Sequence, residues 1–476
     1  MTSPRTKPVR VVLLIMLAVL ALAVGYFGSW GGRAFVADMS FHPIAIPTAT
    51  APPSRIAAAL AGATAAPSAS AGASSTPPAP TAAGVSAALA SLLRDPALGP
   101  SVSAQVYDAG TGQSLFASKA SELVTPASTA KLLVAAAALT VHKPTDRFTT
   151  KVVRGTTPGS VVLVGGGDPT LSAAAPGKAS EYPEAGRISD LAAAVRASLA
   201  GAPVTEVLVD DSLFIGPTTA QGWDPEDAPS GYASPITAAM VDGGRDAPGD
   251  TIRSAAPDLA AGRALATALG AATVDRGSAP AGARQLGSVA SAPVSALVEQ
   301  MLTDSDNVIA EVLARQVAVA TGQPATFVGG AAAIRSTLAP LGIAVGTGMK
   351  DGSGLSALDR VPATALAQTL LAAVGDGHPQ LRSILSGLSV AGWDGTLVEE
   401  NRFTGAASAA VGVVRAKTGS LTGVSALAGV LVDADGRQLV YVFVADALTS
   451  QSLDDVPARD AIDRLAAALA RCGCRR

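Results

Sequence analysis

Histidine, cysteine and asparagine are nearly absent from this 476-residue chain, which has three, two and two of them. A Ser-His-Asp hydrolase needs a histidine base, and His42, His142 and His378 stand in unrelated contexts with no G-x-S-x-G elbow anywhere. Three scattered histidines also cannot make an H-E-x-x-H zinc site. The two cysteines, Cys472 and Cys474, sit in the terminal "RCGCRR". Stability must therefore come from a core rather than from a disulfide framework. One intervening residue argues against a relaxed disulfide, and zinc would need further Cys or His nearby, so the pair reads as an inert tail. Charge is sparse too: the formal net charge is -3 and no basic patch recurs, which removes nucleic acid as a partner. The run Gly165-Gly166-Gly167 lacks the third glycine of G-x-G-x-x-G and no G-K-S/T follows, so it reads as a turn. Neither a cofactor nor a metal is called for.

What remains is apolar. Hydrophobic residues make up 49% of the chain, and its length allows two or three domains. Arg5, Lys7 and Arg10 precede a 20-residue apolar run from Val11 to Trp30. Such a run can span a bilayer, and the positive flank keeps the N-terminus cytoplasmic and exports the rest. Ala21-Leu22-Ala23 lies inside the run as an awkward cleavage site, so residues 1–30 read as an uncleaved anchor, with a removed signal peptide as the alternative. A lipoprotein is excluded, since no Cys follows the run. From about His42 to Ala83 the sequence is dominated by Pro, Ala, Ser and Thr, so residues 31–83 read as a flexible stalk, with a short helix expected over Arg55 to Ala61. Ordered structure is predicted to begin near Val85 with a helix in "VSAALASLL", then strands in "SVSAQVYDA" and "SLFASKA". Thr125-Pro126 opens a further helix. At the other end, "GVSALAGVLVDADGRQLVYVFVADA" reads as two strands around Asp433 to Gly436. A last helix starts near Asp455-Val456-Pro457 and repeats Ile462, Leu465, Ala466 and Leu469 on one face. The two ends can thus supply one sheet covered by helices, with a middle region of short strand signals and Gly/Pro turns inserted between them.

One residue in "TPASTAKLLVAAAAL" looks out of place. Lys131 lies among Ala, Leu and Val, three positions after Ser128. Residues i and i+3 of a helix share a face, so the amine can reach the hydroxyl. Burial disfavours the charged amine and lowers its pKa towards neutrality, and a helix N-terminus favours negative charge developing at the serine. Lysine can then be the base that histidine is not. By itself S-x-x-K is weak, because about one is expected by chance in this composition, and a lysine snorkelling out of the helix is the bland alternative. Two further stretches sharpen it. "TDSDNVIAE" places Ser305-Asp306-Asn307, and "VRAKTGSLTGVSALAG" places Lys417-Thr418-Gly419 at a strand end. Each alone also fits a helix cap or a turn.

In this order the three resemble the penicillin-recognising serine acyltransferases, whose set is S-x-x-K, S-x-N and K-T-G. The chain is most similar to the D-alanyl-D-alanine carboxypeptidase/endopeptidases of the penicillin-binding protein 4 type. The segments that carry this are Pro126 to Lys131, Gly165 to Leu171, Asp210 to Pro217, Ser305 to Asn307, Asp351 to Ser356, Asp394 to Leu397 and Ala416 to Gly429. The resemblance implies an α+β fold of the penicillin-binding protein/β-lactamase-like transpeptidase kind, an antiparallel sheet flanked by helices with an inserted β-rich domain. The catalytic part would span 84–146 and 288–476, and the insert 147–287. The 177-residue gap from Ser128 to Ser305 is short for the family, whose third domain is expected to be reduced or missing. Ser128 would be the nucleophile, Lys131 its base, and Ser305 a proton relay to the leaving amine. Asn307 would bind the substrate backbone, Lys417 and Thr418 the C-terminal carboxylate, and the N–H groups of Ser128 and Ser420 the oxyanion. The DGSGLS and DGTL stretches read as scaffold turns. Implied partners are peptidoglycan stem peptides, β-lactams as covalent inhibitors, and the cytoplasmic membrane through the N-terminal segment, with the protein working outside the cytoplasm. Rival readings are a β-lactamase, for which the E-x-x-L-N water-activating pattern is missing, and a non-catalytic penicillin sensor.

Overall fold

The computed structural model describes residues 77–449 and 455–475. The expected anchor, most of the stalk and the Arg55 to Ala61 helix lie outside them. Among the described residues no helix is long and apolar enough to cross a membrane.

The two ends of the described chain build one antiparallel sheet. Its six strands run in the order Ser389–Val390, Arg415–Leu421, Val424–Val432, Gln438–Ala445, Ser103–Asp108 and Ser114–Ser118. The N-terminal hairpin is joined to the C-terminal one in the register Val106 opposite Tyr441. Strand residues alternate between faces, and here both faces are covered, which explains why these segments read as unbroken apolar runs. Val440, Val442 and Val444 point into one core with Ala426, Ala428 and Val430. Leu439, Tyr441, Phe443 and Ala445 point into the other with Leu427 and Leu431. The helix Val456–Ala470 closes the second face, with Ile462, Leu465, Ala466 and Leu469 fully buried and Pro457 in its first turn.

The first face is closed by the helix Ala363–Val374, and against that helix packs Lys131–Val141, whose residues from Lys131 to Leu139 are all buried. A helix apolar all round belongs inside. Ser128 is not in that α-helix as expected: it sits in a 3₁₀ turn, Ala127–Ala130, that leads into it. Order also begins earlier than Val85. The first helix is Ala82–Leu89, and Thr81 caps it by accepting from Gly84 N at 3.0 Å. The helix stops before Leu93, with a 3₁₀ turn at Leu92–Arg94. Thr81 N in turn donates to the carbonyl of Cys474 at 2.7 Å, tying the two ends together. Against expectation, Cys472 and Cys474 are joined in a disulfide. Their Cα atoms lie 4.9 Å apart, within disulfide range.

A second sheet of five strands runs from Thr149 to Ala290, in the order Thr273–Arg276, Glu206–Asp210, Ser160–Val164, Thr149–Arg154, Gln285–Ala290. It is mixed rather than a string of hairpins. The first two pairings in that order are parallel, and each parallel connection carries a helix, Ile188–Ser198 or Pro257–Leu269. Gly165 and Gly166 leave this sheet where any side chain would collide with the backbone of Ala238 and Thr149, so the glycine run marks a close backbone approach.

The two ends of the main sheet's second core are locked by one ion pair. Arg402 and Asp463 are each 1% exposed, with Arg402 Nη2 to Asp463 Oδ1 at 2.6 Å and Nε to Oδ2 at 3.0 Å. Phe403 N adds a bond to Asp463 Oδ2 at 2.9 Å. Removing one partner of such a pair strands a charge and costs about 3–5 kcal/mol. Asp463→Ala is therefore expected to lower the unfolding free energy by about 3 kcal/mol, the low end, because Glu400 still faces Arg402. Urea titration of the purified protein measures this, and an unchanged midpoint would refute it.

Candidate active site

The site is assembled around the nucleophile turn. Ala127, the residue before Ser128, is fully buried and left-handed, φ 47°. An alanine tolerates that conformation only where its surroundings impose it. Here two glycines let the backbone close in: a side chain at Gly354 would strike the Ala127 carbonyl, and one at Gly419 would crowd Pro126 O and Ala127 Cβ. These glycines belong to the D-G-S-G and K-T-G segments. Three sequence-distant motifs are thereby held in contact by the absence of side chains.

Lys131 Nζ has three partners: Ser128 Oγ at 2.8 Å, Asn307 Oδ1 at 2.5 Å and the Ser353 carbonyl at 2.8 Å. The Asn307 amide is oriented by its other end, since Nδ2 donates to the Tyr232 carbonyl at 2.8 Å. Two of the three partners can only accept. A neutral amine has two N–H donors for those two acceptors, and its lone pair is left facing the Ser128 hydroxyl. Burial pushes the Lys131 amine down to about 8, against the upward pull of Asp351, Glu311 and Asp306. Lys131 is thus held as a base directed at a hydroxyl.

Ser128 opens onto a cleft of about 1040 Å³ whose walls include Ser305, Asn307, Thr396, Thr418 and Ser420 together with Tyr182, Trp223 and Tyr232. Five of the predicted site residues therefore line one space. Ser305 has left-handed backbone, φ 58°, but among the described residues its hydroxyl is hydrogen-bonded neither to Lys131 nor to Ser128. Lys417 does not line the cleft. It is fully buried behind Thr418 and donates to the Thr418 carbonyl at 3.1 Å. Burial first, then the charge of Lys131, hold its amine well below the usual lysine range. Thr418 Oγ1 presents itself at the wall and donates to Thr396 Oγ1 at 3.0 Å. Asn307 differs from expectation in that its amide nitrogen is already engaged by Tyr232.

The DGSGLS and DGTL stretches are more than scaffold turns. The first supplies the Ser353 carbonyl to Lys131, Gly354 to the nucleophile turn, and the buried Asp351, whose Oδ2 accepts from Trp223 Nε1 at 2.7 Å. The second supplies Thr396 to the Thr418 hydroxyl. The insert contributes Tyr182, whose hydroxyl donates to Asp306 Oδ2 at 2.8 Å while Asp306 Oδ1 caps the helix Asn307–Ala320 through Ile309 N at 2.9 Å. The Ser-Asp-Asn turn is thus pinned from both the helix and the insert. Sequence reading missed Tyr182 and Trp223, which belong to no short motif; the rarity of aromatics, 4% of residues, was the available signal.

Comparison with known proteins agrees with this geometry. The D-Ala-D-Ala carboxypeptidase 3 (S13) family model matches residues 85–249 and 246–469. A carboxypeptidase of Mycobacterium tuberculosis is 46% identical over 404 residues, 83% of this chain and 85% of that protein. Carboxypeptidase DacB of Mycolicibacterium smegmatis is 41% identical over 470 residues, 97% and 96% of the two chains. Among solved structures, penicillin binding protein 4 of Haemophilus influenzae shares the fold with a TM-score of 0.66 at 21% identity, over 81% of this chain and 99% of that one. With the fold, the lysine-directed serine and the family match together, the chain belongs to the D-Ala-D-Ala carboxypeptidase 3 (S13) family and is an enzyme of the serine peptidase type.

Proposed function

We propose that Ser128 carries the reaction of this enzyme and that Lys131 is its general base. The substrate is the D-Ala-D-Ala end of a peptidoglycan stem peptide. Ser128 Oγ attacks the carbonyl carbon of the penultimate D-Ala as its proton passes to Lys131 Nζ. The N–H groups of Ser128 and Ser420 receive the oxyanion. The C–N bond then breaks as the proton is delivered through Ser305 to the leaving amine of the terminal D-Ala. Water attacks the resulting ester, Lys131 takes a proton from it, and the shortened peptide leaves as a carboxylic acid with Ser128 restored. The single observation that carries this reading is the amine whose two other partners are acceptors, 2.8 Å from a hydroxyl at the floor of a cleft. Thr418 binds the substrate's terminal carboxylate directly, and the buried Lys417 amine steadies it from behind through its bond to the Thr418 carbonyl. Cleavage of a D-Ala crosslink is the same chemistry with a larger leaving amine, and the cleft volume admits it.

A β-lactam presents a strained amide and a carboxylate in the same relation, so it enters as a slow-turnover acyl donor. The structural relative from Haemophilus influenzae has been seen complexed with a β-lactam, at a TM-score of 0.57 to this chain. The apolar run from Val11 to Trp30 supports attachment to the outer face of the cytoplasmic membrane, with residues 31–83 as spacer.

Fluorescent penicillin is expected to label the wild-type ectodomain and to leave Ser128→Ala unlabelled. Persistence of label in that variant would refute Ser128 as nucleophile. Release of D-Ala from a pentapeptide is expected from the same preparation, and a zero rate would favour a penicillin sensor. Because Lys131 must lose its proton, the acylation rate is expected to rise about tenfold per pH unit below a midpoint of about 8 and to level off above it. A stopped-flow pH profile checks this, and a rate flat from pH 6 to 9 would contradict it.

A further inference from the structure

Beneath Lys131 lies a carboxylate outside the S-x-x-K, S-x-N and K-T-G set. Glu311 is four residues after Asn307 on the helix Asn307–Ala320, so the two share a face. It is 1% exposed. Its Oε1 accepts from Ser353 N at 2.7 Å and Gly352 N at 3.1 Å, and its Oε2 from Gly352 N at 2.9 Å. The carbonyl of that same Ser353 accepts from Lys131 Nζ at 2.8 Å. One helix therefore reaches the amine twice, directly through Asn307 Oδ1 and indirectly through the peptide that Glu311 grips. Both Glu311 oxygens meet donors, the arrangement a carboxylate takes.

We propose that Glu311 is a positioning residue for Lys131. It holds the Gly352–Ser353 peptide so that the Ser353 carbonyl takes one N–H of the amine, and it sets a negative charge below that amine. Without it the peptide is free to rotate, the carbonyl leaves, and the lone pair of Lys131 is no longer confined to the Ser128 direction. The inference rests on the reading of Lys131 as the base. The charged neighbours bear on its test. Lys131 is faced by Asp351, Glu311 and Asp306 and by the amine of Lys417. Glu311 is faced by Asp351, by Asp359 and by Arg315. Burial and the charge of Asp351 raise the Glu311 carboxyl, while the peptide N–H groups of Gly352 and Ser353 that meet both of its oxygens favour the charged form.

The test uses Glu311→Gln in the full ectodomain, with the pH profile of acylation by a chromogenic β-lactam. A glutamine keeps the size but removes the charge and turns an N–H towards peptide N–H groups. The acylation rate at pH 8 is expected to fall about tenfold, and the acid-limb midpoint to fall by about one pH unit, because an anion that favoured the protonated amine is gone. A merely structural role lowers the rate at every pH and leaves the midpoint in place, so an unmoved midpoint overturns the proposal. If Glu311→Gln does not fold, Glu311→Asp retains the charge but withdraws it from the two amides. A tenfold lower rate with the melting temperature kept is then expected, and a wild-type rate, or failure of that variant to fold, overturns the proposal. Lys131→Ala is measured alongside. Full acylation there would remove Lys131 as the base, an outcome separate from a failure of Glu311 alone.

Discussion

The structure depends on burying one amine so that it gives up its proton near pH 8, well below the ordinary lysine range. An ammonium buried among Leu132, Leu133 and Ala130 would lose most of its hydration, so the folded state favours giving up the proton. Three hydrogen-bond partners then decide where the lone pair points. With Asn307 Oδ1 and the Ser353 carbonyl as fixed acceptors, only the Ser128 hydroxyl can donate. Reactivity here is a consequence of counting donors and acceptors around one atom.

Much of the architecture serves that arrangement. The nucleophile turn is drawn into left-handed backbone at Ala127 and is held there by Gly354 and Gly419, which come close because they lack side chains. The helix Asn307–Ala320 delivers Asn307 to that amine and, from the same face, Glu311 to the Gly352 and Ser353 N–H groups. The insert fastens the start of that helix through Tyr182 and Asp306, and it reaches the D-G-S-G loop through Trp223 and Asp351. Strain at Ala127 and Ser305 is therefore balanced by contacts from elements far apart in sequence. The cleft between the two parts is where a peptide with an anionic end meets the hydroxyl.

How much of this was legible in the sequence follows from the range of each signal. The main sheet was readable because alternation and turns are local: the strand pair around Asp433 to Gly436 and the helix at Pro457 appear as expected. The helices of the insert were not read, although Ile188, Leu191, Ala192 and Val195 are buried at helical spacing, because Gly/Pro turns dominated the reading of that region. Spacing pointed to Ser128 and Lys131 only weakly, and they, like Ser305, Asn307 and Lys417, needed the order of three motifs. The burial of Lys417 behind Thr418 and the capture of Asn307 Nδ2 by Tyr232 are packing outcomes that no spacing encodes. The same holds for the disulfide at Cys472 and Cys474, against which the spacing of one residue argued.

The most direct test of the central claim is a titration of the Lys131 side chain itself. The chain has eight lysines, so carbon-13 labelling at lysine Cε gives few signals, and Lys131→Arg assigns the one of interest. The account predicts that this signal titrates near pH 8, apart from the exposed lysines, and that it shifts when Ser128 is acylated. A midpoint in the ordinary lysine range, above about 10, would mean that the amine keeps its proton at working pH and would contradict the account.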